Sequence, residues 1–430
     1  GFILDDCGAR VVIGHGDLLD AAADVLPPGA TVLRAGAGTA RTFPDYEAWL
    51  AAQPAYDGPE VSPRGLMGYT SGTTGRPKGV LRVPVPIGAL PAQQAAMREL
   101  ARTVYGIEDG CRTLLSAPLY HSAPASIAQH TLLYGERLVL APRFDAEATL
   151  ALIERHRADV TYLTPTMYVR LLRLPDAVWN RYDTSSLRFV ASTGAPCAPD
   201  VKRAIIARFG PVVHETYAST EAGLITIASS ADALARPGTA GRPAGAAEVR
   251  ILDESGRACA PGEIGMIYGR QPAYPDFTYH NLPDARRAIE RDGLVTLGDM
   301  GYLDADGYLF VCDRGADMVL SGGVNIYPAE IEHALLRLPG VLDCAVIGLP
   351  DPEFGERLHA VVLSEPGAQL APERLAAELR RVLAGYKVPR TFTLAASLPR
   401  DDNGKIAKRR LREEFARELR DAGESARLER

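Results

Sequence analysis

Apolar positions along this chain follow three regimes. Phe2-Ile3-Leu4 and then residues 9–13 read as a helix end and a buried strand, and a Pro/Gly-rich linker, PAYDGPEVSPR, covers residues 54–64. From 111 to 260 short β-like runs (138–140, 160–163, 188–190) alternate with helix-period stretches such as 145–157 and 199–209. That alternation predicts α/β layers with partly parallel sheets. From 248 to 312 the pattern shifts to short strands with tight turns, Asp253-Glu254-Ser255-Gly256 and Asp304-Ala305-Asp306-Gly307 among them, which predicts a small β-rich subdomain. Beyond 317 the order helix (328–338), strand (343–348), strand (359–363), helix (372–385), strand (391–396) predicts a compact α+β domain of roughly 110 residues. The tail from 408 carries Leu411, Phe415 and Leu419 on one helical stripe and reads as a solvated helix. The fold class is therefore α/β: a large N-terminal region of α/β layers plus a small β-rich subdomain, then a small α+β C-terminal domain.

Composition narrows the function classes. The chain has 430 residues, 47% hydrophobic and 23% charged, enough for two or three domains with sizeable cores. A net charge of −6 argues against nucleic acid held on a basic surface. No apolar run reaches the length of a membrane span. The six cysteines, at 7, 111, 197, 259, 312 and 344, form no Cys-x-x-Cys pair and read as thiols of a reducing compartment, so a cytoplasmic location is expected. Lysine occurs only at 78, 202, 387, 405 and 408, which gives weight to a lysine inside a motif. Gly1 opens directly into an apolar run with no leader pattern, and the first residues look like the middle of a fold. The expectation is that an N-terminal segment precedes them.

Residues 67–80 read MGYTSGTTGRPKGV. Glycines let a backbone approach a ligand closely, and hydroxyls, backbone N–H groups and Lys78 all donate to anionic oxygens. A polar loop after a strand suits a phosphate cradle. It is not a Walker A loop, because Lys78 follows Pro77 and precedes Gly79. Further polar clusters follow predicted strands: Pro118-Leu119-Tyr120-His121, Ser192-Thr193-Gly194-Ala195-Pro196, Tyr217-Ala218-Ser219-Thr220-Glu221, Leu297-Gly298-Asp299 and Asp313-Arg314. PRDDNGK occupies 399–405. Each is weak alone; their order and spacing together are specific.

Over nearly its whole length the chain resembles the adenylate-forming superfamily of acyl-CoA synthetases, peptide-synthetase adenylation domains and luciferases. The resemblance implies that Thr70, Ser71, Gly72, Thr73, Thr74 and Lys78 hold the β- and γ-phosphates of ATP. It implies that Tyr217 stacks on adenine, with Gly194, Ala195 and Pro196 on the other side. It gives Thr220 a phosphate contact, Glu221 a Mg²⁺, Asp299 the ribose hydroxyls and Arg314 the ribose and phosphate. His121 would stand at the mouth of the acyl pocket. Lys405 would bridge the carboxylate and the α-phosphate. The implied domains are 1–314, incomplete at its N-terminus, and a mobile small domain, 315–430, after a hinge. The chemistry is coherent: a carboxylate is a poor electrophile, and joining it to AMP brings two anions together, which Mg²⁺ and lysine must offset.

Three positions depart from the family pattern. Ala218 replaces a glycine, Leu297 replaces a threonine, and the hinge position carries Ala316, with Asp317 next. SGGVNIYPAEIE, 321–332, resembles the CoA-ligase form of its stretch, in which Gly322 and Gly323 lie along the pantetheine arm, so coenzyme A is favoured over a carrier protein. Candidate pocket stretches are 121–126, 164–167, 192–194 and 222–224, small or apolar and without a basic residue. No acidic residue near Ser192 stands ready for an ammonium, against an amino-acid substrate. A fatty or bulky alicyclic acid is expected first and an aromatic acid second. An adenylation module loading a carrier protein, and an inactive nucleotide- or acyl-binding relative, are the alternatives. The expected partners are the acid and coenzyme A, with a homodimer left open by the residues.

Overall fold

The computed structural model describes residues 1–36, 43–63, 65–71, 77–195, 197–400 and 406–428. They form two compact units, residues 1–93 with 275–288, and residues 94–274 with 289–430.

In the first unit, strands Val11–His15 and Thr31–Ala35 pair in parallel. The helix Gly16–Ala21 lays Leu19 against Gly14 on one face. The opposite face carries Val11 and Ile13, which are 51% and 50% exposed, so the strand expected to be buried is covered on one side only. A second sheet has the order Phe277–Tyr279, Pro77–Arg82, Gly68–Ser71, all antiparallel. Its first strand lies within the stretch that the turn pattern places in the β-rich subdomain. Phe277 and Tyr279 alternate inward, and the guanidinium groups of Arg82 and Arg286 cover the Phe277 ring.

The second unit is built on a seven-stranded sheet. Its order is Arg242–Pro243, Gly223–Ala228, Val213–Ser219, Phe189–Ser192, Val160–Tyr162, Arg112–Leu115, Arg137–Leu140. The last five in that order run parallel, and the first two add antiparallel. Helices cover both faces, which is why the strands read as continuous apolar runs. Successive residues serve opposite cores: Leu114 and Val190 pack with Tyr168, Trp179 and Ile205, while Leu115 and Ala191 pack with Val104, Tyr105 and Ile127. The helices expected at 145–157 and 199–209 are Ala146–His156 and Pro199–Phe209; Asp145 caps the first by accepting from Ala148 N–H, and Pro199 opens the second.

The β-rich part follows as an antiparallel sheet ordered Glu248–Leu252, Gly265–Arg270, Leu294–Leu303, Glu290–Arg291, with Leu309–Arg314 also paired to Leu294–Leu303. The α+β body then begins at Val319. Its sheet runs Val324–Ile326, Val319–Ser321, Gly355–Ser364, Val341–Asp351, with Thr391–Ala395 parallel to Gly355–Ser364. Helices Pro328–Leu335 and Pro372–Arg380 fill one core through Ile331, Leu335, Leu375 and Leu379.

The closing helix, Lys408–Leu428, departs from the solvated expectation. Leu411 is 3% exposed in a core with Ala345, Ile347 and Val361, and Phe415 packs there against the His359 ring. The ammonium of Lys408 lies 2.9 Å from the Glu332 carboxylate. Leu411 and Phe415 seat the first turns on the sheet, and the flanking charges found partners.

Candidate functional site

The parallel strands end together, and the loops leaving their carboxyl ends carry the polar clusters. Arg112–Leu115 has Arg137–Leu140 on one side and Val160–Tyr162 on the other. The chain reverses its direction of travel across the sheet there, the usual place for a ligand crevice in an open α/β sheet. The loops at 116–121 and 163–164 open on that point.

Strand Val213–Ser219 runs on past the residue pairing Ser192 with Glu215, and Tyr217 stands on the extension. Its hydroxyl donates to Asp299 Oδ2 at 2.7 Å. Asp299 lies opposite Arg314 in the register of the β-rich sheet, and Arg314 Nε is 3.5 Å from Oδ1. The Asp299 side chain is 12% exposed, whereas that of Arg314 is 54% exposed. Burial, and then the carboxylate beside it, push the Tyr217 phenol well above its usual range, so it stays a neutral donor. Three residues from three strands thus present an aromatic face, a buried acceptor and an accessible cation together.

The turn after Ser219 carries Thr220 and Glu221. Thr220 Oγ1 donates to Ser122 Oγ at 3.2 Å, tying this turn to the start of helix Ser122–Tyr134. His121 precedes that helix in extended backbone, its ring set edge-on to Tyr120 with centroids 4.2 Å apart. The loop bearing Gly194 and Ala195 is fixed from below: Thr193 Oγ1 donates to the Thr216 carbonyl at 2.7 Å, and the Tyr162 hydroxyl donates to the Thr193 carbonyl at 3.4 Å.

In the first unit Thr70 lies opposite Lys78 and Ser71 opposite Pro77, in two strands paired antiparallel. Lys78 Nζ is 5.1 Å from the centre of the Tyr279 ring. Tyr69 donates to Asp6 Oδ2 at 2.6 Å, and burial with that carboxylate raises its phenol. Gly72, Thr73, Thr74, Pro196 and Lys405 lie outside the described residues.

Gly322 and Gly323 form the two-residue loop between Ser321 and Val324, with φ of +58° and +81°. Two successive positive φ values make a type I′ turn, for which Gly-Gly is a favoured pair. The turn is held by Gly322 N–H donating to the Phe354 carbonyl at 2.8 Å. Glycine is therefore required here by the hairpin itself, apart from any ligand. Just before it, Arg412 of the closing helix donates to the Ala316 carbonyl at 2.6 Å and to Asp317 Oδ1 at 2.7 Å.

The family model described as AMP-binding enzyme matches residues 1–274, and that described as AMP-binding enzyme C-terminal domain matches 330–405. The chain belongs to the AMP-binding enzyme family. A feruloyl-CoA synthase of Amycolatopsis sp is 38% identical over 81% of this chain and 70% of its own length. The long-chain-fatty-acid–CoA ligase FadD13 of Mycobacterium tuberculosis is 32% identical over 96% of this chain and 80% of its own. The amide bond synthetase McbA from Marinactinospora thermotolerans has 30% identity and a TM-score of 0.83, covering 96% of this chain and 81% of its own. The adenylate-forming resemblance and the α/β fold class read from the sequence both stand.

Within this AMP-binding fold the structure adds residues that the motifs did not indicate. Lys202 and Glu215 form an ion pair at 2.7 Å with side chains 4% and 11% exposed, directly behind the Ser192–Thr193 strand end. Lys202 also donates to the Thr239 carbonyl at 3.2 Å. Burial raises the Glu215 carboxyl, and the Lys202 ammonium opposes that rise. One signal was present in the sequence: Lys202 is one of five lysines in an arginine-rich chain. Ser122, which receives the Thr220 bond, and Tyr162 had no such signal. Among the described residues no helix is long and apolar enough to cross a membrane, and no three His, Cys, Asp or Glu cluster as a metal cage.

Proposed function

We propose that this chain joins a hydrophobic carboxylic acid to AMP, releasing pyrophosphate, and then passes the acyl group to coenzyme A in the cytoplasm. It is an AMP-forming acid–thiol ligase. The observation that carries the site reading is the Tyr217–Asp299–Arg314 set at the strand ends. Tyr217 offers its face to adenine, Asp299 accepts from the ribose hydroxyls, and Arg314 reaches the ribose and phosphate. By the family resemblance, Thr70, Ser71 and Lys78 would donate to the outer phosphates, and Thr220 would add a hydroxyl.

An oxygen of the acid attacks the α-phosphorus and the bond to pyrophosphate breaks. By the family resemblance, the Lys405 ammonium would offset the charge of the two anions. The thiol of coenzyme A, losing its proton, then attacks the acyl carbon and AMP leaves. Glu221 would hold Mg²⁺: that ion takes one or two carboxylates together with substrate phosphates, and a single glutamate beside the Thr220 hydroxyl, without a protein cage, fits it. When bound, Mg²⁺ supplies charge neutralisation on the phosphates. The relatives named as feruloyl-CoA synthase and fatty-acid CoA ligases support the thiol acceptor. Pyrophosphate release over a panel of acids, with and without coenzyme A, tests the reading; release without acyl-CoA would favour a carrier protein as acceptor.

Asp299→Ala is expected to weaken binding of a non-hydrolysable ATP analogue roughly tenfold to a hundredfold, because a hydrogen bond to a charged group contributes about 1.5–3 kcal/mol. Titration calorimetry reads this directly, and unchanged affinity would remove Asp299 from the nucleotide site. Gly323→Leu is expected to spare single-turnover pyrophosphate release while acyl-CoA fails to appear. A Cβ at Gly323 meets nothing within 4 Å, so the side chain projects into open space where the pantetheine arm is proposed to run. The positive φ adds about 1–2 kcal/mol of local strain, so a thermal melt accompanies the assay. Equal loss of both steps by a folded variant would reject the pantetheine path.

A further inference from the structure

The helix Pro328–Leu335 of the α+β body is bonded, at its start and just past its end, to residues outside that body. Its N-cap position holds Tyr327, where Ser, Thr, Asp or Asn would normally accept from the first turn. Pro328 has no N–H to satisfy, and the next one, on Ala329, donates to Asp313 Oδ2 at 2.8 Å. Asp313 stands on strand Leu309–Arg314 of the β-rich sheet, opposite Met300, and is 8% exposed. Its other oxygen accepts from Arg314 N–H at 2.8 Å. Past the helix's far end, Arg337 Nε is 3.3 Å from Asp200 Oδ2, in the first turn of helix Pro199–Phe209. Arg173, which follows helix Pro165–Leu172, donates to the Leu342 carbonyl at 3.1 Å.

The chain passes from one body to the other within two residues. Gly315 N–H donates to the Gly298 carbonyl at 2.7 Å, on the β-rich side, whereas the Ala316 carbonyl accepts from Arg412 of the closing helix. Asp313, Asp200 and Arg173 lie before that point, and their partners Ala329, Arg337 and Leu342 lie after it. A turn of the small body about it therefore breaks all three contacts. In the same arrangement Gly322, Gly323, Val324 and Asn325 are all exposed, so the hairpin stands in solvent.

We propose that Asp313, assisted by the Arg337–Asp200 pair, is a positioning latch that holds the small body in the adenylating arrangement and opens before acyl transfer to coenzyme A. Asp313 dominates, because its bond is charge-assisted, buried and set at the positive end of the helix dipole. The Arg337–Asp200 pair is weaker and screened by salt, its side chains being 56% and 46% exposed. The latch works through the balance of two arrangements, so loosening it favours the step that needs the small body turned. This inference rests on the ligase reading above and adds the residues that weight its two steps against each other.

The test measures two single-turnover rates on the full chain at saturating substrates. One is pyrophosphate release with the fastest acid of the panel above; the other is acyl-CoA formation from that acid's chemically made adenylate. Asp313→Ala is expected to raise the ratio of transfer to release about fivefold to thirtyfold, the range for losing a helix cap. Asp313→Asn keeps an oxygen for the Ala329 N–H and should stay close to wild type. Arg337→Ala should shift the ratio the same way by about fivefold at most, and high salt should reproduce that smaller shift in the wild type. Asp200→Arg combined with Arg337→Asp should restore it. A ratio unchanged or lowered in Asp313→Ala, or both rates falling together, overturns the latch while leaving the ligase reading intact. Should Asp313→Ala melt early, a ratio unmoved by Arg337→Ala and by salt overturns it instead. No pyrophosphate release by the wild type with any acid rejects the ligase reading itself.

Discussion

Lys405→Ala is expected to lose nearly all acyl-CoA formation from free acid and ATP, yet to convert supplied acyl adenylate and coenzyme A at close to the wild-type rate. The reason is electrostatic. In adenylation a carboxylate must approach a phosphate, and an ammonium placed between them offsets repulsion that water would otherwise screen. Removing one preorganised group of this kind costs about 2.7–4 kcal/mol, or roughly 10²–10³ in rate. In the thioester step the new bond forms at a neutral carbonyl and no second anion has to be brought in. The small domain is then proposed to have turned, carrying Lys405 away and presenting the Gly322-Gly323 hairpin. The structure bears on where that turning occurs. Arg412 bonds the Ala316 carbonyl and the Asp317 carboxylate, so both residues are tied to the closing helix of the small body. The proposed pivot would then fall on the side of Gly315 and Arg314. Single-turnover measurements of each half-reaction decide the matter; equal losses in both, from a variant with a wild-type melting curve, would remove the division of labour.

The elements most legible in the sequence were those with local signals. The helices at 145–157 and 199–209 carry an Asp cap and an opening proline, and the parallel strands are short apolar runs between them. The Tyr217 and Asp299 motifs were legible from their neighbours, although their 2.7 Å bond joins residues 82 positions apart. Long-range partnerships were not legible. Nothing local marks residues 277–279 as the strand that pairs with 80–82, since β pairing depends on an edge left open elsewhere. The closing helix looked solvated because its charges outnumber its apolar stripe, and only the sheet beneath Leu411 and Phe415 gives that stripe a meaning. Gly223 is one of 41 glycines until the Tyr274 ring is seen lying on it. Gly322 and Gly323 carried the reverse lesson: their turn accounts for both glycines before any ligand is considered.

Lys202→Met is expected to destabilise the second unit by about 3–5 kcal/mol near pH 8, because breaking a buried pair leaves an uncompensated charge. The partner left behind is Glu215, on the strand that carries Tyr217. Burial already raises its carboxyl, and the ammonium is what holds that rise in check. Without Lys202 the folded-state pKa moves further above the unfolded value. The folded state then binds more protons than the unfolded one, so stability is fullest below the unfolded pKa and declines as pH rises toward the folded pKa. The defect should therefore be smaller at pH 5 than at pH 8. Lys202→Met with Glu215→Leu should recover most of the loss at pH 8, since two apolar side chains replace the pair and no charge is stranded. Trp179 reports on this core, where it packs with Ile205 and Val213, so urea unfolding followed by its fluorescence in a Trp49→Phe background reads the effect. A loss independent of pH, with no recovery in the double variant, would mean that Lys202 acts through packing and its bond to the Thr239 carbonyl. Recovery of stability without recovery of ATP affinity would instead place the pair among the residues that position the Thr193–Gly194 loop, which lies directly in front of it.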